Sequence, residues 1–254
     1  VKPKTERATR QSAKSVVART ALLLAGLSGY GLSMALFVRA GLGLDPWDVF
    51  HQGLSKHTGL TIGGATALVG IVVLLGWIPL RTRPGVGTVA NVIVISVVVD
   101  AALMVLPQPT TLPVRTAMMF GAVVLNAVST VMYIGAGMGP GPRDGLMTGL
   151  VARTGWSVRL VRTGIEVTVL ATGWLLGGTV GVGTVVYALG IGPLVQLVLR
   201  CTPARWLAAS GWAHVVGDRA GRQEDEPAVA TMSECPAPSA TTPQNPTPCQ
   251  IQTS

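Results

Sequence analysis

The sequence predicts an all-α polytopic membrane protein: a bundle of about six transmembrane helices built as two inverted three-helix repeats, each with a short re-entrant or interfacial helix. Three observations lead there. Of 254 residues, 49% are hydrophobic and only 12% are charged, and the mean hydropathy is +0.52. Several apolar runs reach the roughly 20 residues a helix needs to cross a hydrocarbon core about 30 Å thick, and in lipid a helix satisfies its own backbone. The stretch GLGLDPWDVFHQGLSKHTGL at Gly41 also returns without a gap at Gly137 as GMGPGPRDGLMTGLVARTGW.

Apolar runs between punctuating residues place spans near 17–38, 61–80, 88–106, 114–135, 158–177 and 183–200. The basic segment 1–16 leads into a retained first span, because no small-residue cleavage site follows it. Repeat 1 then covers 17–106 and repeat 2 covers 113–200. With six spans and both termini cytoplasmic, only Arg39, Lys56 and Arg115 of the 19 Lys and Arg residues fall on the outer face. That asymmetry is what the positive-inside rule expects of a plasma-membrane protein, and it explains the net charge of +8 without a nucleic-acid partner. Residues 201–220 are expected to form an interfacial helix, with Trp206 and Trp212 at the headgroup level. The Pro-, Ser- and Thr-rich stretch 221–254 buries too little apolar surface to fold and is expected to be a disordered cytoplasmic tail. Cys201, Cys235 and Cys249 match no metal spacing or disulfide framework.

The repeat extends beyond the loop. At the same offset of 96 residues, GVGTV at 85–89 falls on GVGTV at 181–185, and 18 of the 60 pairs from position 41 to 100 are identical. Each unit holds three spans, an odd number, so the second copy runs through the membrane upside down. Asp48 then faces outside and Asp144 faces the cytoplasm. Inverted repeats of this kind recur in transporters, whose two halves exchange conformations around a central site.

Within each loop, Gly41 and Gly43, and again Gly137 and Gly139, allow a sharp turn, while Pro46 and Pro142 start a short helix of about ten residues ended by Gly59 or Gly155. Two readings of Asp48 and Asp144 stay open. They are helix caps beside packing glycines, such as the stripe Gly141, Gly145 and Gly149; or the helix starts face a central cavity and bind an anionic group there.

Charges inside the spans add further candidates for a solute or ion path, since each costs about 2.5–3.5 kcal/mol on insertion scales. Asp100 in the third span has no partner on its own helix and is the leading candidate for a proton- or cation-coupled site, with Asn91, Asn126 and its repeat mate Gln196 as possible hydrogen-bond partners. Glu166 lies four residues after Arg162, the spacing of a helical ion pair. His51 and His57 flank Lys56 and are read as surface residues, not metal ligands. GVGTV lacks the Gly-Lys-Ser/Thr of a phosphate loop. No Ser/His/Asp or Cys/His set and no paired catalytic carboxylates are placed for hydrolysis, so neither an enzyme nor a cofactor is expected.

GLGLDPWDVFHQGL with RPGVGTVANVIV, and GMGPGPRDGLMTGL with GVGTVVYALGIGPL, resemble the YczE/YyaS/YitT-like family of bacterial integral membrane proteins. The resemblance covers roughly 19–200, with Arg143 in the second half where the first has Trp47. It implies a multi-pass protein of the bacterial plasma membrane and assigns no binding residue. The functional expectation is a small-solute or ion transporter; the alternative is a membrane scaffold or regulator that moves nothing and serves a protein partner.

Overall fold

The computed structural model describes residues 4–81 and 84–203, with side chains from residue 16 onward. The expected interfacial helix past residue 203 and the tail lie outside the described residues. Among those described there are eight helices and no strand: α1 (Lys4–Ala40), α2 (Pro46–Thr58), α3 (Ile62–Leu80), α4 (Val86–Val105), α5 (Leu112–Gly135), α6 (Pro142–Thr154), α7 (Val158–Leu175) and α8 (Val182–Cys201). Five of them are long and apolar enough to cross a membrane: α1 from Val16, α3, α4, α5 and α8. The expected sixth span, α7, has only 18 residues and carries Arg159, Arg162 and Glu166.

Large apolar side chains cover the outside of the bundle, Met104 being 84% and Leu189 72% exposed. In water such a surface would aggregate; in lipid it is the solvated face.

The bounds of α2 and α6 coincide at the 96-residue offset, and both have 13 residues. Each begins on the proline of its loop and ends on a left-handed glycine, Gly59 at φ 72° and Gly155 at φ 70°, a conformation that a side chain disfavours. Upstream, Gly43 and Gly139 sit at φ 118° and 126°, open essentially to glycine alone.

Packing follows the same offset. α1 lies along α5 and α4, and α5 along α8, while α2 packs on α7 and α6 on α3. The short helix of each half is therefore held by a helix of the other half. Small residues make this close approach possible. The ring of Trp77 on α3, only 1% exposed, occupies the space over Gly145 on α6, and its Nε1 donates to Pro142 O at 3.0 Å. At the other contact the sizes are exchanged: Val49 on α2 is fully buried, and Gly173 on α7 stands where Trp77 stands in the first half. A Cβ on Gly173 would come within 2.5 Å of Phe50 N.

The recurring GVGTV segments complete the crossing. Gly87 N donates to Met138 O at 2.9 Å, and Gly183 N donates to Leu42 O at 2.8 Å. Each pentapeptide thus binds the glycine loop of the opposite half. Its threonine turns inward to close the helix start: Thr88 Oγ1 accepts from Gly85 N at 3.1 Å and Thr184 Oγ1 accepts from Gly181 N at 3.2 Å. Thr88 Oγ1 also donates to Pro140 O at 2.7 Å. No phosphate-binding geometry is needed to explain these glycines.

The three basic residues assigned to the outer face each satisfy carbonyls at a helix end, where a cation is favoured. Arg115 donates from Nε to Ala40 O at 2.7 Å and from Nη2 to Gly41 O at 2.8 Å. Lys56 Nζ donates to Gly177 O at 2.6 Å, and Arg39 Nη2 donates to Leu103 O.

A Cβ at Gly183 would lie 2.6 Å from Gly43 O, and one at Gly87 would lie 2.8 Å from Met138 O. Gly183→Ala and Gly87→Ala should each destabilise the purified protein by about 1–3 kcal/mol through overpacking. Gly76→Ala, with nothing within 4 Å of the added carbon, should stay within about 1 kcal/mol of wild type. Unfolding in mixed micelles measures all three.

Candidate functional site

Because each short helix packs against the other half, the starts of α2 and α6 come together with the middles of the long helices. Two cavities lie there. The first, of about 80 Å³, is lined by Tyr30, Met34, Trp47, Asp48, His51, Thr66, Asn91, Tyr133 and Arg143 together with aliphatic side chains of α3 and α4. The second, of about 380 Å³, is lined among others by Trp47, Thr130, Tyr133, Arg143, Asp144, Met147, Arg162, Glu166, Tyr187 and Gln196. Much of the second lining is the first shifted by 96 positions, for example Asp48 to Asp144, His51 to Met147, Val69 to Ile165 and Asn91 to Tyr187. Trp47, Tyr133 and Arg143 border both.

A polar network braces the long helices between the cavities. Asn126 Nδ2 donates to Ser33 Oγ at 3.0 Å, and Asn126 Oδ1 accepts from the Tyr187 hydroxyl at 3.3 Å. The Arg143 guanidinium lies 5.8 Å above the centre of the Tyr30 ring, within cation–π range. Tyr30 in turn meets Tyr133 edge-on at 6.2 Å. Among the described residues no carboxylate forms an ion pair with Arg143 within 4 Å.

The carboxylates of the two loops differ in their surroundings. Asp45, 2% exposed, is the cap of α2: its Oδ1 accepts from Asp48 N at 2.7 Å. Asp48 and Asp144 stand in the first turns of α2 and α6, as the loop pattern allows, but the expectation that they are the caps is corrected: Asp45 caps α2, and Gly141 leaves α6 without a side-chain cap. Asp48 is 3% exposed. Its Oδ1 lies 3.4 Å from His51 Nδ1, and its Oδ2 has no hydrogen-bond partner. Asp144 Oδ2 accepts from the Tyr133 hydroxyl at 3.1 Å.

Of the remaining sequence candidates, Gln196 and Glu166 line the second cavity, and Glu166 Oε1 accepts from Arg162 Nε at 3.0 Å, the ion pair its spacing suggests. Asp100 lines neither cavity. The expected bonds to Asn91, Asn126 or Gln196 are replaced by others: Asp100 Oδ2 accepts from Thr61 Oγ1 at 2.6 Å and Oδ1 from Gly63 N at 2.8 Å. With Thr61, it caps the start of α3. The surface reading of His51 is also corrected, for it is buried at 7% exposure, whereas His57 is exposed. Among the described residues no cluster of His, Cys, Asp or Glu could hold a metal ion.

Sequence reasoning missed Arg143 and the tyrosines. Arg143 was counted with the basic residues that set orientation, although it sits at one of the cavity-facing positions of the loop motif. The chain has 3 tyrosines, and Tyr30, Tyr133 and Tyr187 all line a cavity. Their scarcity in an otherwise aliphatic bundle was the available signal.

Fold and surface define a polytopic helical membrane protein with two largely apolar cavities into which a few polar and charged side chains of α2 and α6 reach. The chain belongs to the family of unknown function DUF6198, which matches residues 17–200. It is similar to an uncharacterized protein of Haemophilus influenzae, 40% identical over 179 residues, 70% of this chain and 82% of the relative. It is also similar to the uncharacterized membrane protein YczE of Bacillus subtilis, 36% identical over 191 residues, 74% of this chain and 86% of the relative. YyaS of the same organism is 24% identical over 187 residues, 72% of this chain and 93% of the relative. No solved structure matches.

Asp45, Asp48 and His51 stand outside the candidate spans. Burial pushes both carboxyls up to about 7; for Asp45 the neighbouring Asp48 adds to this, and Arg143 opposes it at both. Burial pushes the His51 imidazole down to about 4. From about pH 4 to 7 the folded chain therefore keeps carboxyl protons that the unfolded chain has released. The two carboxyls stabilise the fold at acid pH and lose that contribution as the pH rises through about 7. His51 acts oppositely, its contribution present above about pH 6.5 and lost toward pH 4. Asp48→Asn removes one of the acid-favouring groups, so its melting temperature relative to wild type should rise progressively from pH 5 to 8 in detergent. An offset that does not vary with pH would contradict this assignment.

Proposed function

We propose that the chain is a small-solute or ion transporter of the bacterial plasma membrane, with α7 as its sixth span, both termini cytoplasmic, and two halves related as inverted repeats. The observation that carries this reading is the pair of cavities whose linings correspond at the 96-residue offset and share Trp47, Tyr133 and Arg143. If the halves are inverted, one cavity belongs to each membrane face, and a change that opens one would close the other. The three shared residues then form the barrier between them. The charges of α7 fit a span beside an aqueous path, because Arg162 and Glu166 neutralise one another at the second cavity.

The competing reading is a scaffold or regulator that serves a protein partner and moves nothing. Its cavities would be fixed. Val69 and Ile165, mates at the offset, line the first and second cavity. In a background freed of native cysteines, Val69→Cys and Ile165→Cys in oriented liposomes should react with an impermeant maleimide from opposite faces. Conditions that speed one reaction should slow the other. Rates that never change, whatever the pH, ion gradient or added solute, would favour the scaffold.

A further inference from the structure

The two halves treat the same carboxylate differently. Asp144 receives the Tyr133 hydroxyl, but the position corresponding to Tyr133 in the first half is Phe37, which has no hydroxyl to give. Asp48 is accordingly left with Oδ2 buried and unpartnered, and a second buried carboxyl, Asp45, is fixed beside it through Asp48 N. The second half has Gly141 in place of Asp45, so this pair exists once.

Two neighbouring carboxylates in a buried site do not both ionise cheaply, and an unpaired buried anion is more costly still. The groups facing the pair do not remove that cost. On α2, His51 is a neutral neighbour at 3.4 Å. On α6, Arg143 attracts both carboxylates from a distance, but its guanidinium lies over the Tyr30 ring and makes no ion pair with them within 4 Å. Tyr30 of α1 and Tyr187 of α8 also face the pair and supply no positive charge. A metal ion would need a richer ligand set than the described residues offer. The simplest partner for Oδ2 is a proton.

We infer that the Asp45–Asp48 pair is a proton-binding site, with Asp48 the group that exchanges its proton with the first cavity, and that this proton is the ion coupled to solute movement. The coupling rests on the transport reading; the proton site does not. On release, the Asp48 O–H bond breaks, the proton passes to water in the cavity, and the electron pair stays on a carboxylate whose charge faces Arg143. Asp100, held as a cap of α3, takes no part.

The test is a pH titration of the full-length purified protein by infrared difference spectroscopy, following the stretch of the protonated carboxyl. Wild type should show a band that disappears near pH 7. Asp48→Asn should lose part of it, Asp48→Asn combined with Asp45→Asn should lose all of it, and Asp100→Asn should keep it. Asp45→Asn retains an oxygen able to cap α2 and should move the midpoint to lower pH, because the neighbouring charge is gone. A wild-type band that titrates entirely below pH 5, or a near-neutral band that survives undiminished when Asp48→Asn and Asp45→Asn are combined, would overturn the proton site. Solute flux with the same pH dependence in wild type and Asp48→Asn would overturn the coupling and leave transport standing. A protein with the band but no flux of any solute would contradict transport and leave the proton site standing.

Discussion

Each GVGTV segment closes on the glycine loop of the other half, through Gly87 N to Met138 O and Gly183 N to Leu42 O, and the rest of the structure depends on this crossing. It fixes where α4 and α8 begin, and it needs glycine at both sides of the contact because backbone meets backbone. With the helix starts pinned, α2 is carried onto α7 and α6 onto α3. The four short or crossing elements then enclose a space that neither half could form alone.

That enclosed space explains why the loop occurs twice. Each loop supplies a partner surface for the opposite pentapeptide and also aims the first turn of a short helix at the centre. Asp48 and Arg143 reach the first cavity in this way, and Asp144 and Arg143 reach the second. The matched positions differ at the centre, with Trp47 against Arg143, Asp45 against Gly141, and Phe37 against Tyr133. The scaffold repeats; the chemistry does not.

Much of this architecture was legible in the sequence, because glycine and proline mark backbone constraints that are local. The offset of 96 residues placed α2 and α6 on their observed starts, and span limits lay within a few residues of α3, α4, α5 and α8. The site was less legible because it depends on contacts between distant segments. Asp100 looked unpartnered on its own helix, but its partners, Thr61 and Gly63, belong to the start of α3. Arg143 looked like a topological charge, but packing of α6 against α3 carries it inward. Asp45 lies three residues before Asp48 in the same loop, and only the hydrogen bond that its Oδ1 accepts from Asp48 N shows that it, rather than Asp48, caps α2.

These two backbone contacts lock the halves together. Site-resolved amide hydrogen exchange in nanodiscs tests this most directly, since a loop amide exposed to water exchanges rapidly and one broken only by global opening does not. The amides of Gly87 and Gly183 should exchange as slowly as those in the middle of α1 and α5. Rapid exchange at both, with the helices still protected, would contradict it.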